Sequence, residues 1–227
     1  MNANCDTPQN SDSRSHTENR ILKAAEAEFL AKGYAGARTT AIAEAAGVTH
    51  AMLHYYFRTK DKLFERILNE KIQLVRDIML FGIGNPGRPL EERIVATVER
   101  HFDFLAANPS LPRFMVNEVF SIPERMMLIT DQMRLHAPLL LAGLQREIDN
   151  LAAEGRCRRV DARMLLLDII SLNIFTFMAE PIVRSLMGNS CESEQFLAAR
   201  KREMSAEAYR MAREIAAWKR KVSAAWD

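Results

Sequence analysis

The sequence predicts an all-α fold, and three observations support that prediction. Glycine and proline are sparse, with 9 and 8 residues among 227, so few positions force the chain out of a helix. No alternation of apolar and polar residues persists long enough to indicate a strand. Apolar residues instead recur at helical spacing along nearly the whole chain.

Capping residues and breakers divide this pattern into helices. Threonine or aspartate precedes several predicted helices, and Gly33 and the turn-like stretch "GIGNPGRP" end two of them. Pro138 is expected to kink or divide the helix that contains it. The predicted helices cover 17–33, 39–47, 49–57, 59–81, 90–106, 111–120, 123–155, 161–180 and 193–222.

The chain length allows one large domain or two small ones, and the pattern favours two. We expect a disordered leader at 1–16, a three-helix module at 17–62 and a larger helical domain at 63–227. The leader "MNANCDTPQNSDSRSH" is polar and has no hydrophobic signal core. No segment is long and apolar enough to be read as a membrane span, so we expect a cytoplasmic protein.

Charge and cysteine content exclude some classes of protein. The formal net charge of +2 is low for a protein that nucleic acid wraps on most sides, but it permits a local basic patch. Cys5, Cys157 and Cys191 are far apart, odd in number and without zinc-ligand spacing. They argue against a disulfide framework and against a metal site, and we expect no cofactor.

The stretch "TTAIAEAAGVTHAMLHYYF" has the spacing of a helix-turn-helix. Ala43 provides a small side chain where two steeply crossing helices would meet, and Gly47, four residues later, suits a tight turn with positive φ. Ile42, Ala46, Val48, Leu53 and Phe57 would then point inward. A helical hairpin with no DNA role would show the same spacing, so the exposed residues must decide.

The predicted outer face carries groups that suit DNA. Threonine, histidine and tyrosine can donate to phosphates or reach base edges, and the Ala51 and Met52 side chains can touch a thymine methyl. Lys60 begins the next helix, where free backbone N–H groups also favour a phosphate. His50 and His54 have the spacing of metal ligands, but no Glu, Asp or Cys nearby completes a set. The outer face comprises Thr49, His50, Ala51, Met52, His54 and Tyr55.

Two stretches of the chain resemble the DNA-binding domain of the TetR/AcrR family of bacterial transcriptional regulators. They are "ILKAAEAEFLAKGYAGARTTAIAEAAGV" and "LHYYFRTKDKLF". The resemblance rests on the glycine after the first helix, the Thr pair, the Ala-Gly-Val turn and the Tyr-Phe-x-x-Lys-x-x-Leu run. It adds Thr39 and Thr40 to the expected DNA-binding residues. It also implies a second helical domain that dimerises and binds a small molecule.

One position departs from the family pattern. Members often carry tyrosine immediately after the recognition-helix leucine, where it touches the DNA backbone, and this chain has His54 there. A neutral histidine can still donate a hydrogen bond, and a protonated one could pair with a phosphate. The strength and pH dependence of that contact are therefore open, whereas the expected fold is unaffected.

The last predicted helix carries a seam of apolar residues on alternating four- and three-residue steps, interrupted by Lys201. Because its other faces are charged and the preceding "MLLLDIISLNIFTFM" is apolar nearly all round, we expect a four-helix homodimer interface. The alternative is a helix packed on its own domain. The expected interface residues are Met204, Ala208, Met211, Ile215 and Trp218.

A ligand site is expected among polar groups on otherwise apolar helices and among methionines, which adapt to varied apolar ligands. Surface exposure, satisfied core hydrogen bonds and plain core filling are the alternatives. The expected ligand-binding residues are His101, Met115, Asn117, Glu118, Met133, His136 and Asn173.

These expectations describe a dimeric, ligand-responsive transcriptional regulator, most simply a repressor, whose partners are operator DNA, a second copy of the chain and a small hydrophobic effector. A DNA-binding protein without ligand control is one alternative. An all-helical enzyme is the other, but no catalytic triad, phosphate loop or metal set supports it.

Overall fold

The computed structural model describes residues 8–84, 87–157, 159–188 and 193–223, with side chains from residue 14 to residue 210. Within these ranges the regular structure is entirely helical, as predicted. A π-helical turn at Met115–Phe120 directly follows α6. The α-helices are α1 (Pro8–Gly36), α2 (Thr39–Ala45), α3 (His50–Phe57), α4 (Lys60–Ile83), α5 (Leu90–Ala107), α6 (Leu111–Phe114), α7 (Pro123–Ala153), α8 (Ala162–Met178), α9 (Glu180–Met187) and α10 (Glu194–Ser223).

The chain divides into two compact units, Met1–Ile72 and Gln73–Asp227. The division falls inside α4, ten residues beyond the boundary expected from the sequence. In the first unit, Phe64 meets the rings of Phe29 and Tyr34 edge-on, with centroids 5.3 and 5.2 Å away. Ile21 and Ala25 of α1 are buried in the same unit. Of the side chains predicted to point inward, Val48 is only partly buried, and the others are buried, namely Ile42, Ala46, Leu53 and Phe57.

The second unit is built around α5, which packs against both α8 and α10. Val98, Phe102 and Ile169 are fully or almost fully buried in its core. A buried arginine forms hydrogen bonds that connect α5 with α4 and α7. Arg93 on α5 donates to both carboxylate oxygens of Glu147 on α7, at 2.7 and 2.9 Å, and also to the carbonyl of Ile83 at the end of α4.

Several helix boundaries differ from the predicted ones. α1 begins at Pro8 rather than at Thr17, so part of the expected disordered leader is helical. Gly33, the predicted stop, does interrupt the helix, with φ of 68° and ψ of 175°, but a short turn continues to Gly36. α7 runs through Pro138 without dividing. Because Pro138 is exposed, water can bond the carbonyl that proline leaves unpaired.

α9 was not predicted from the sequence. Its signals were present, since Pro181 lies in the first turn and Gly188 follows the end with a positive φ of 65°. Proline near the start and glycine just past the end are the usual marks of a short helix. Among the described residues no single helix is long and apolar enough to cross a membrane, but α8 and α9 together reach that length and composition, with a 72° bend between them.

The structure contradicts two residues of the dimer seam expected on α10. Met204 and Ala208 are buried in the core of their own unit, at 5% and 0% exposure, so they are not available to a second copy. The polar interruption, Lys201, binds Asp103 of α5 at 2.7 Å. The described part of the seam therefore lies in the core that α10 forms with α5. The side chains of Met211, Ile215 and Trp218 lie outside the described residues.

Candidate nucleic-acid interface

The turn between α2 and α3 is closed by backbone hydrogen bonds around Gly47. The amide of Gly47 donates to Glu44 and that of Val48 donates to Ala43, both at 2.9 Å. Gly47 has a positive φ of 63°, which glycine adopts without steric cost. The Ala43 side chain is buried beside the turn, as the spacing predicted.

A side chain from α1 holds this turn from outside. Arg20 donates through Nη2 to the carbonyl of Gly47 at 3.2 Å and, more closely, to that of Ala46. A Cβ on Gly47 would lie 2.5 Å from the same Nη2 atom, so a larger residue would displace the Arg20 guanidinium from the turn, and the positive φ disfavours it as well. Arg20 was not predicted as part of this site, because no local sequence pattern links residues this far apart along the chain.

Thr49 begins α3 as its N-cap. The Thr49 hydroxyl accepts from the amide of Met52 at 3.2 Å, which satisfies one of the free N–H groups at the helix start. Leu53 and Phe57 then turn into the core. The opposite face is exposed and carries the side chains expected there, namely Thr49, His50, Ala51, Met52, His54 and Tyr55.

Two histidines on α3 contact α2 on one side and the residue that follows α3 on the other. The Thr39 hydroxyl lies 3.0 Å from Nε2 of His50, and the His50 and His54 rings meet edge-on with centroids 4.7 Å apart. His54 Nδ1 lies 2.7 Å from the carbonyl oxygen of Arg58. Thr40 is exposed beside Thr39 at the start of α2. Three of the polar residues predicted from the sequence, Thr39, His50 and His54, therefore contact one another in series.

Basic residues lie around this surface. Lys60 opens α4 with its ammonium 4.5 Å from the ring centroid of Tyr34, whose hydroxyl donates to Asp61. The Arg14 guanidinium lies 5.6 Å from the ring centroid of Tyr55. The aromatic rings hold both cations at defined positions without neutralising their charge.

Arg58 was also missing from the predicted site. It follows α3 with φ of 58° and ψ of −58°, and it is the one non-glycine residue with positive φ in the described part of the chain. Such a conformation is uncommon for residues with a Cβ and draws attention to a site. Its position after the Tyr-Tyr-Phe run was the only available sequence signal.

In the second unit, the structure brings two of the expected ligand-binding residues together. His101 and Asn173 are buried at 2% and 0% exposure. The Asn173 amide donates to the Val98 carbonyl at 2.9 Å and lies 3.3 Å from Nδ1 of His101. Burial lowers the pKa of His101 to about 4, so its imidazole is neutral at pH 7. Within the described residues, Oδ1 of Asn173 accepts no hydrogen bond.

The other expected ligand-binding residues are less buried than this pair. Asn117 and Met133 are exposed, and Met115 and His136 are only partly buried. Glu118 is partly buried and accepts from Arg125, at 3.3 Å to the carboxylate and 2.7 Å to the backbone carbonyl. The sequence could not separate these cases, because a polar residue on an apolar helix can lie at a surface or in a core. No group of three or more metal-ligating side chains occurs in the described ranges.

Comparison with known proteins agrees with this geometry. The model of the tetR family of bacterial regulatory proteins matches residues 21–67, and a tetracyclin repressor-like C-terminal domain matches residues 91–206. The HTH-type transcriptional repressor SCO4008 of Streptomyces coelicolor is 33% identical over 99 residues, which are 44% of this chain and 47% of that protein. The HTH-type transcriptional repressor BepR of Brucella suis is 37% identical over 87 residues, covering 37% and 42% respectively.

The chain thus spans about half the length of the curated relatives it matches. Among solved structures, the transcriptional regulator FadR from Bacillus subtilis in complex with stearoyl-CoA shares the fold, with a TM-score of 0.61 and 19% identity over 85% of this chain and 96% of that one. The two domain models together cover both units, the second model alone covers half of the chain, and the helix-turn-helix has the predicted register. The chain belongs to the TetR family of bacterial transcriptional regulators.

Proposed function

We propose that this regulator is a homodimeric repressor that binds a two-fold symmetric operator through α3 and releases it when a small, largely hydrophobic molecule binds the second unit. The observation that carries the proposal is the exposed polar face of α3, held by a capped helix start and a glycine turn. We place the protein in the cytoplasm, where it has access to DNA.

The DNA-binding part is tested by replacing His50 and Tyr55 together with alanine. Both side chains are exposed, so the double variant should keep its helicity and lose operator affinity. Fluorescence anisotropy with a duplex selected by the parent protein from a random-sequence pool measures the loss. Arg156→Ala, which removes an exposed charge from the second unit, is the control and should bind normally. Undiminished binding by the folded double variant would show that α3 does not read DNA.

A second copy is proposed to cover α8. This helix buries Leu165, Ile169, Asn173 and Phe177 at four-residue steps. Its remaining apolar side chains recur on another face, where the largest are 38–61% exposed: Met164, Leu167, Phe175 and Met178. An apolar stripe of this length is suited to contact with a second copy of the chain. Each chain has a single recognition helix, and the two-fold axis of such a dimer supplies the second one.

The effector is proposed to bind through the buried pair of His101 and Asn173. An unpaired amide oxygen in an apolar core costs about 1–3 kcal/mol, which a hydroxyl or N–H group of a ligand would recover. The π-helical turn at Met115–Phe120 supports a site in this unit, since such turns are frequent at functional sites. The FadR structure holds stearoyl-CoA, so long-chain fatty acids and their thioesters are reasonable first probes.

The regulatory part is tested by titrating these probes into the protein–operator complex. A coupling free energy of about 1–3 kcal/mol would weaken operator binding about 5- to 150-fold. By linkage, the operator must weaken binding of the same probe by the same factor. Calorimetry with and without operator measures that reciprocal effect. Equal probe affinity in both titrations would leave a DNA-binding protein without this form of control.

A further inference from the structure

The end of the recognition helix contains a reciprocal pair of hydrogen bonds between His54 and Arg58. The Arg58 amide donates to the carbonyl of His54 at 2.9 Å. In the opposite direction, Nδ1 of the His54 ring lies 2.7 Å from the Arg58 carbonyl oxygen. A carbonyl oxygen can only accept a hydrogen bond, so Nδ1 must be the donor and must carry the proton.

This assignment determines what His54 can offer to DNA. A neutral imidazole has one N–H group, and here that group is used by the Arg58 carbonyl. The other nitrogen, Nε2, then has only a lone pair, which repels a phosphate oxygen. The imidazolium ion has a second N–H group at Nε2 and a positive charge, both of which favour a phosphate. The sequence-based expectation that neutral His54 can donate to the DNA backbone is therefore wrong for this geometry.

We propose that His54 is a proton-linked phosphate contact, so that operator binding takes up a proton at this side chain and is tighter in mildly acidic solution. The inference rests on the proposed DNA-binding function and adds a regulatory input to it. Its sign follows from linkage. Because the phosphate favours the charged ring, affinity is highest where that ring is protonated and falls as pH rises.

The groups around His54 do not offer another obvious source of this effect. Thr39 on α2 contacts His50 rather than His54. His50 is the imidazole whose ring meets that of His54, so it is the neighbouring group that must be controlled for. Most of the remaining charged groups are arginine, lysine and carboxylate side chains, which keep their charges near neutral pH. On α3 itself, the titratable residues are His50, His54, Tyr55 and Tyr56, and Arg58 follows the helix directly. On the adjoining elements, the titratable and charged residues include Arg14, His16, Arg20, Arg38, Glu44, Lys60, Asp61 and Lys62.

The key variant is His54→Asn. The asparagine amide nitrogen is as far from Cβ as Nδ1 of histidine, so it can still donate to the Arg58 carbonyl, but it does not titrate. His50→Asn is the matched control, because it removes the neighbouring imidazole and leaves His54 in place. The probe is a fluorescein-labelled duplex selected by the parent protein from a random-sequence pool at neutral pH. Affinity is measured at constant ionic strength between about pH 5.5 and about pH 8, the range in which histidine titrates.

Compared with its own affinity at the alkaline end, each of the parent protein and His50→Asn should bind about five- to tenfold more tightly per recognition helix at the acidic end, since a shift of one pKa unit corresponds to a tenfold change. This ratio is expected for His50→Asn even where the loss of His50 weakens its binding at every pH. His54→Asn should show a nearly flat profile and unchanged thermal unfolding. A role of His54 confined to holding Arg58 would leave the pH profile unaltered by this substitution.

A flat profile for the parent protein, or an undiminished pH dependence in His54→Asn, would overturn the proton-linked contact while leaving DNA binding intact. If instead the parent protein selects no duplex at any pH, the proposed DNA-binding function fails, and the inference fails with it.

Discussion

The properties of a polar side chain in this protein depend on its surroundings as well as on its chemical type. His101 and His54 are both histidines on helices, but the first is sealed in the second unit and the second is exposed beside α3. Burial removes the water that would stabilise an imidazolium ion, which lowers the pKa of His101 to about 4. The His54 ring has no such cover, because it lies on the exposed face of α3.

His101 should therefore make the protein sensitive to mild acid. In the unfolded chain histidine titrates near pH 6.5, whereas in the fold His101 stays neutral down to about pH 4. The unfolded state binds more protons between these values, so stability is fully present above pH 6.5 and is lost as pH falls towards 4. Between pH 7 and pH 4.5 the loss should be about 2 kcal/mol.

Urea unfolding of the parent and of His101→Gln at these two pH values isolates the contribution. The variant lacks the titrating group, so its stability should change less with pH, whatever its stability at pH 7. Other acid-sensitive groups, such as Asp161, whose pKa is lowered to about 2 by Arg163, remain in both proteins and cancel in the comparison. Parallel losses in the two proteins would contradict this account of His101.

At the scale of the element, α3 is a short helix whose ends need side-chain support. The Thr49 hydroxyl supports the start, and the His54–Arg58 pair closes the end. A helix of this length has little stability of its own in water, because nucleation is costly. The recognition surface therefore relies on its caps as well as on Leu53 and Phe57 in the core.

Thr49→Ala should destabilise the first unit by about 1 kcal/mol, the usual cost of losing an N-cap. Thr49→Ser keeps the hydroxyl and should restore most of that stability. Thermal unfolding followed by circular dichroism gives the comparison. If the alanine and serine variants melt together below the parent, the lost methyl group rather than the cap would be responsible.

Two helical glycines in the second unit offer a matched test of packing. A Cβ on Gly82 of α4 would lie 2.8 Å from Cβ of Thr97 and 3.2 Å from its Cα, so it would collide with the body of α5. A Cβ on Gly143 of α7 would meet nothing within 4 Å. Gly82 is therefore a packing requirement between α4 and α5, whereas Gly143 only weakens its helix.

Gly82→Ala should destabilise the second unit by about 1–3 kcal/mol through overpacking. Gly143→Ala should stabilise it by about 0.5–1 kcal/mol, because alanine loses less conformational entropy in a helix. Chemical denaturation of both variants measures the two changes. Similar effects of the two substitutions would mean that α4 can move away from Thr97 at little cost.

At the scale of the whole molecule, the burial of Met204 and Ala208 removes those residues from the four-helix interface expected from the sequence. The exposed face of α8, which that interface also included, remains as the proposed dimer contact. Leu167→Glu combined with Phe175→Glu places two carboxylates per chain on that face. Both positions are more than half exposed in the single chain, so the protomer should fold normally. In a dimer contact the charges would be desolvated, which costs several kcal/mol unless they are paired.

Sedimentation of this double variant should show a monomer where the parent shows a dimer. Leu80→Glu, at an exposed position on α4, is the control and should remain dimeric. Monomer formation should also weaken binding to a two-fold symmetric duplex, because only one recognition helix is then engaged. A tight dimer of the double variant would exclude α8 as the contact.

The sequence by itself determined the helical class, the register of the helix-turn-helix and the outward face of α3. These features depend on local signals: helical periodicity, a threonine cap and a glycine that tolerates positive φ at residue 47. Only the tertiary structure decided where α10 packs, because an apolar stripe requires a cover without specifying which surface provides it. The tertiary structure also decided which nitrogen of His54 carries the proton, because that nitrogen is the one facing the Arg58 carbonyl. The position of this carbonyl depends on the unusual backbone conformation of Arg58 at the end of α3.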